Sequence, residues 1–465
     1  MFKFTAIVIA LISATVFYVI FKEPPPLPQI PEVQWRDDAV QDTQLHPFSI
    51  NVSEKVLDSL KQQLKSTTYV APLKNVNFTY GFDSNQLQKI ITYWEKNYQW
   101  RNREKLLNSV PHYRTKILGL NIHFIHIKQN PNTKTTKKVL PLLLLHGWPG
   151  SVKEFYSVFP LLSKVQEKYD FVFEIVAPSL PGYGFSDGAQ YPGFGTAQIA
   201  QISKLLMERL GHKKFYVQGG DWGSLIGTDL ATLYPESVIG FHNNMCPMPN
   251  NLKSYVQLFI GSFWPELYAD KAFQHRLYPL SSTFSYLMTE SGYMHLQATK
   301  PDTVGVALSN SPAGLAAYIL EKFSTWMNYN YRDLPDGGFD PKSFEGRHYT
   351  LDDLLDNVMI YWTTNSITTS MRLYSENFNK ERRSMNLESM PTVVPTVCAA
   401  YPYDLVYTPE AILRNKFTNL LYLSHMPRGG HFAAFEEPQL FAQDLWKAVC
   451  NIENLVHDKP RNKCQ

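Results

Sequence analysis

The chain has 465 residues, 44% of them hydrophobic, with 44 Lys+Arg against 41 Asp+Glu and a formal net charge of +3. That length and apolar content support a large core, and one catalytic domain with a sizeable insertion or extension is the economical reading. The balanced charge argues against a nucleic-acid partner, which needs a concentrated basic face.

Residues 4–21 (FTAIVIALISATVFYVIF) carry no charge and are bracketed by Lys3 and Lys22. A run of about 18 apolar residues is long enough to cross a bilayer as a helix. It exceeds the roughly 7–15 residues of a cleaved signal peptide. Residues 1–22 are therefore read as an uncleaved, single-pass membrane anchor. Its orientation is not readable, because Lys3 on one side faces Lys22 and Arg36 on the other. Sequons at Asn51 and Asn77 do not decide it. Four prolines between Pro24 and Pro28 make a stiff spacer. Residues 53–64 and 84–98 have helix-like apolar spacing, residues 117–127 alternate like a strand or hairpin, and the Lys- and Thr-rich residues 130–138 read as a loop.

From residue 139 the pattern changes to alternating strands and helices. Strands are expected at 139–145, 171–176, 215–217 and 238–242, with helices at 198–210 and 224–234. From 245 to 390 that alternation is lost and the sequence is aromatic-rich and helix-like. It resumes with a strand at 392–397, a helix from about Pro409, a strand at 420–423 and a last helix at 438–450. This order implies a mostly parallel sheet covered by helices. The expected units are an anchor (1–22), a spacer and N-terminal extension (23–138), an α/β core in two parts (139–244 and 391–465) and an inserted helical cap (245–390). The four cysteines, Cys246, Cys398, Cys450 and Cys464, show no CxxC or zinc-ligand spacing. They are read as reduced and structural, as in a cytosol-facing domain.

The sharpest motif is Gly219-Gly220-Asp221-Trp222-Gly223 between a strand and a helix. Small residues around a central nucleophile at that junction make a nucleophile elbow, where neighbouring side chains clash and the backbone is strained. Asp221 is otherwise an ordinary helix N-cap. A serine at the elbow gives acyl transfer, whereas a carboxylate attacks an electrophilic carbon and forms an ester. Ser224 lies beyond the turn and reads as a helix-start residue. His146-Gly-Trp-Pro-Gly-Ser151 follows a buried strand. There a backbone N–H from Trp148, with that of Trp222, is suited to an oxyanion hole. His431 sits in Arg428-Gly-Gly-His431-Phe, after the last strand, where a base is expected. Asp404, in Tyr401-Pro-Tyr-Asp404, follows the strand before it and completes the order nucleophile, acid, base. The loop PGYGFSD (181–187) is read as shaping the site.

Together GGDWGS, HGWPGS, PGYGFSD and RGGHFAAFEEP resemble the microsomal-type epoxide hydrolases. The N-terminal anchor and the segment containing Tyr93-Trp94 and Trp100 are also similar to that family. Among its branches the sequence most resembles the juvenile hormone epoxide hydrolases of insects. The resemblance implies an α/β-hydrolase fold and an endoplasmic reticulum (microsomal) membrane location with the catalytic domain on the cytosolic face. It also implies two lid tyrosines that bond the epoxide oxygen. The matching positions are Tyr293, in Glu290-Ser-Gly-Tyr-Met-His295, and Tyr374, in Arg372-Leu-Tyr, which residue patterning alone does not select from 27 tyrosines. Mammalian members carry glutamate where this sequence has Asp404.

The implied reaction converts a lipophilic epoxide, such as juvenile hormone, to a vicinal diol through an ester on Asp221. It needs no metal or organic cofactor. A haloalkane dehalogenase shares the aspartate elbow, often with Trp directly after it. A non-catalytic hydrolase-fold binding protein for a lipophilic hormone is the rival from another class. Such proteins usually lose a triad member, and none is missing here.

Overall fold

The computed structural model describes residues 26–37, 42–129, 137–457 and 464. The segment read as an anchor lies outside these residues, as does most of the 130–138 loop. Nine strands form one sheet in the order β1-β2-β3-β5-β4-β6-β7-β8-β9. They are β1 His46–Phe48, β2 His112–Ile117, β3 Leu120–Ile127, β4 Lys138–Leu145, β5 Phe171–Pro178, β6 Phe215–Gly219, β7 Val238–Asn243, β8 Thr396–Ala400 and β9 Leu420–His425. The first three pair antiparallel and β3 pairs antiparallel with β5. From β5 through β9 every pairing is parallel. This is the α/β-hydrolase fold expected from the sequence.

Strand β4 shows why this sheet is buried on both faces. Leu143 and Leu145 point into one apolar core, whereas Leu140, Leu142 and Leu144 point into the other. A strand covered on both faces needs an unbroken apolar run rather than alternation. The β2–β3 hairpin turns at Leu118 and Gly119, both at positive φ. The strand or hairpin expected at 117–127 is this turn with β3, while β2 begins earlier, at His112, and β1 is an addition to the expected elements. The strand expected at 392–397 begins instead at Thr396, because Pro395 cannot donate to a central ladder. Thr392 makes only an isolated bridge to Phe417.

Between β7 and β8 the elements of the described chain are α-helices and 3-10 turns, with no strand. This helical stretch is fastened by buried charge. Asp356, on the Leu351–Thr364 helix, has a side chain with no solvent exposure. It accepts from Tyr98 Oη at 2.8 Å and from Arg103 Nε at 2.8 Å and Nη2 at 2.6 Å. Lys153 Nζ lies 3.1 Å away. One carboxylate thus joins the N-terminal extension, the loop after β4 and the inserted helices.

The cysteine reading is corrected. Cys246 pairs with Cys398 and Cys450 with Cys464, leaving no free cysteine among the described residues. Cys246 follows β7 and Cys398 lies on its neighbour β8, so sheet order brings together residues 152 apart in sequence. Spacing cannot show such a pairing.

Candidate active site

Asp221 stands between β6 and the Trp222–Leu233 helix with φ 50° and ψ −126°. A non-glycine residue at positive φ is strained and persists only where its surroundings hold it. Those surroundings explain the glycines. A Cβ on Gly219 would meet the Gly223 carbonyl, and one on Gly223 would meet the Leu145 carbonyl. A Cβ on Gly147 would collide with the Asp221 carboxylate itself. The HGWP loop and the elbow therefore approach so closely that only glycine fits.

That approach delivers a donor. The Trp148 N–H donates to Asp221 Oδ1 at 2.7 Å. Trp222 opens the following helix, whose positive dipole end favours an anion. His146 fixes the loop, accepting from the Leu180 N–H at 3.1 Å through Nε2, with Nδ1 3.0 Å from the Gly147 carbonyl. Burial pulls the His146 pKa down to about 4, so it is neutral. Ser224 is turned away, its Oγ donating to the Met245 carbonyl at 2.6 Å.

His431 lies between two carboxylates. Its Nδ1 is 2.7 Å from Asp404 Oδ1 and its Nε2 is 3.3 Å from Asp221 Oδ2. The histidine side chain is 1% exposed and that of Asp404 3%. Burial opposes the imidazolium, but Asp404 and Asp221 outweigh it and hold the His431 pKa up at about 10.

Tyr293 and Tyr374 also converge here. They lie on neighbouring helices, Gly292–Thr299 and Ile367–Phe378, with ring centroids 5.9 Å apart. Tyr293 stacks on Trp148 at 5.2 Å, and Tyr374 meets the Trp222 ring edge-on at 4.6 Å. Burial, then the neighbouring tyrosine and the Asp221 carboxylate, push the Tyr374 phenol well up. Burial and Asp221 do the same at Tyr293. Both stay protonated donors. The PGYGFSD loop places Tyr183 against His146, with ring centroids 5.4 Å apart.

Two carboxylates were not singled out from the sequence. Glu436 Oε1 accepts from the Phe432 N–H at 2.9 Å and Oε2 from the Gly430 N–H at 3.0 Å, gripping the backbone on both sides of His431. Glu154 lines a cavity of about 10 Å³ with Asp221, His431, Gln218 and Asn244. Burial pushes both carboxyls up to about 8. The cavity has room for about one water. Its polar walls suit one, between His431 and the Asp221 carboxylate. Elsewhere, His126 on β3 and His212 in the loop before β6 both contact Oε1 of Glu174 on β5, at 2.6 and 3.2 Å.

The chain matches the family model described as epoxide hydrolase N terminus over residues 45–155 and the alpha/beta hydrolase fold over residues 141–438. It is 49% identical over 453 residues to juvenile hormone epoxide hydrolase 1 of Ctenocephalides felis, covering 97% of this chain and 96% of that one. It is 46% identical to epoxide hydrolase 1 of Sus scrofa, covering 90% and 91% of the two chains. The crystal structure of juvenile hormone epoxide hydrolase from the silkworm Bombyx mori superposes with a TM-score of 0.87 at 46% identity, covering 91% of this chain and 99% of that one. With this agreement in sequence and fold over nearly its whole length, the chain belongs to the epoxide hydrolase family.

Proposed function

We propose that the chain opens lipophilic epoxides to vicinal diols in two steps, with Asp221 as the nucleophile. The carrying observation is the Asp221 carboxylate on a strained elbow, held by the Trp148 N–H, with His431 behind it and two protonated tyrosines nearby. Tyr293 and Tyr374 donate to the epoxide oxygen. Asp221 attacks a ring carbon, the carbon–oxygen bond breaks, and the alkoxide takes a proton from a tyrosine. The product is a hydroxyalkyl ester.

Forming the ester removes the charge of Asp221, one of the two carboxylates that raise the His431 pKa. The histidine then releases its proton, which passes through solvent to restore the tyrosine, and becomes a base, oriented by Asp404. It takes a proton from water, whose oxygen attacks the carboxyl carbon of Asp221. The Trp148 and Trp222 amides hold the oxyanion. Collapse returns the proton and frees the diol, which carries one oxygen from Asp221.

Relatives named for juvenile hormone support a long, lipophilic, epoxide-bearing substrate of that kind. We read residues 1–22 as the anchor to the endoplasmic reticulum membrane. The two disulfides suit an oxidising compartment better than the cytosolic face implied by resemblance.

Dehalogenation is the second reading. The Trp148 indole N–H is buried with no acceptor, as a halide site requires, and the Trp222 ring stands edge-on to that of Tyr374. Assaying diol formation from a lipophilic epoxide beside bromide release from a bromoalkane separates the two. Turnover of the epoxide alone is the expected result, and bromide release with no diol would overturn it.

A further inference from the structure

The helices between β7 and β8 carry an apolar surface that the reaction does not use. On the Leu252–Gly261 helix, Tyr255 and Phe259 share a face at i and i+4. Phe263 and Trp264 extend it, with Phe259–Phe263 and Phe263–Trp264 ring centroids 5.4 and 5.9 Å apart. On the Leu280–Glu290 helix, Phe284, Leu287 and Met288 recur at i, i+3 and i+4, with no charge before Glu290. Phe259, Phe263, Trp264, Leu267, Phe284 and Met288 are each 56–66% exposed. Large apolar side chains scattered singly on a surface need no partner, but a contiguous group does.

Beneath this face lies a cavity of about 580 Å³. Leu258 lines it from the first helix, Leu280, Phe284 and Leu287 from the second, and Asp404 and Tyr407 from the core. It extends from under the exposed surface to the carboxylate that holds His431.

The course of the chain identifies what covers this face. Gln201 Nε2 donates to the Ile30 carbonyl at 2.7 Å, and Ile30 packs with Leu387 and Met390. Lys416 Nζ donates to the carbonyls of those two residues at 2.7 Å each. Its neighbour Asn415 bonds Ser254 and Gln257 on the first apolar helix. The described chain therefore begins on the same side as that helix. The uncharged stretch 4–21 ends nine residues before Ile30. Nine residues reach no more than about 30 Å. Across 252–267 the only charges are Lys253 and Glu266. Exposed Trp and Phe on an otherwise uncharged face suit the headgroup–acyl boundary of a lipid bilayer.

We propose that the face formed by residues 252–267 and 280–288 seats in the bilayer that holds the N-terminal segment, so that lipophilic epoxide passes from lipid into the cavity beneath. This rests on reading the chain as a membrane-tethered epoxide hydrolase. It makes the cap a second lipid contact, independent of the tether.

The test uses the full chain in phosphatidylcholine vesicles containing a lipid with a photoreactive group in its acyl chain. After irradiation, label is expected on peptides covering 252–267 and 280–288 as well as on the N-terminal peptide. Label on the N-terminal peptide alone overturns the proposal and leaves the tether standing. Label on neither overturns both. Cross-links joining residues 252–267 of two copies, without lipid label there, assign the face to self-association and also overturn it. In parallel, Phe259→Ser, Phe263→Ser and Trp264→Ser are combined in one full-length variant; none of the three lines the cavity. KM for a vesicle-borne long-chain epoxide is expected to rise about tenfold or more. Turnover of a small water-soluble epoxide should be unchanged, which also shows that the variant is folded. Equal effects on both substrates, or none on either, contradict the proposal.

Discussion

His431 and Asp404 are locked together, with Nδ1 2.7 Å from Oδ1 and both side chains at most 3% exposed. The pair, with Asp221, lifts the histidine from its ordinary 6.5 to about 10 despite burial. A folded-state pKa raised in this way contributes stability in full below 6.5, and that contribution is lost as pH rises through about 10. Urea midpoints of the wild type and His431→Gln should therefore converge as pH climbs past that value. A gap that widens instead would contradict the assignment.

The same pair sets the pH dependence of the two half-reactions. Ester formation does not use His431 as a base and should be flat across the neutral range, where the free enzyme's histidine stays protonated. Ester hydrolysis needs neutral His431 and should speed up with pH there, because the ester no longer holds the proton. Stopped-flow tryptophan fluorescence under single turnover separates the two phases. Asp404→Asn should slow hydrolysis by about 10²- to 10⁴-fold, while ester formation changes far less.

Tyr293 and Tyr374 are assigned to the first half-reaction only. Removing one donor to a developing oxyanion costs on the order of 10²-fold. Each Tyr→Phe change should slow ester formation to that extent, and the double change should nearly abolish it. Ester formation at the wild-type rate in both single variants would place the electrophile elsewhere.

How much of this was legible follows from where each constraint resides. The GGDWG and HGWPG motifs could be read because their glycines answer local demands: a strained turn, and a loop that abuts the Asp221 carboxylate. The two tyrosines stand far from the elbow in sequence, and only packing of the Gly292–Thr299 and Ile367–Phe378 helices brings them to it. Resemblance selected them where patterning did not. Glu154 and Glu436 look like ordinary charged residues in the sequence. Only burial and their contacts around His431 mark them. Cysteine pairing was misread because sheet order, not spacing, joins Cys246 to Cys398.

Asp356 gives a stability prediction remote from the chemistry. Removing a buried carboxylate leaves Arg103 and Lys153 with less of their compensation, and breaking such a pair costs about 3–5 kcal/mol. Asp356→Ala should lower the urea midpoint accordingly. A loss under about 1 kcal/mol would be the value for a surface pair and would contradict the account.

The disulfides predict that protein isolated without reductant contains no titratable thiol among its four cysteines. Alkylation of intact cells before lysis, followed by peptide mapping, measures this directly. Four alkylated cysteines would place the domain in a reducing compartment and restore the cytosolic orientation.

The central claim is that Asp221 forms a covalent ester and His431 acts only afterwards. Intact-mass spectrometry of His431→Gln, mixed with a tight-binding lipophilic epoxide, tests it most directly. The account predicts a stoichiometric adduct with the mass of one epoxide, mapping to Asp221, with no diol released. Asp221→Ala should show neither adduct nor diol. An unmodified His431→Gln protein, together with wild-type enzyme whose first diol in heavy-oxygen water carries the solvent label, would contradict it and make Asp221 an orienting group for direct hydrolysis.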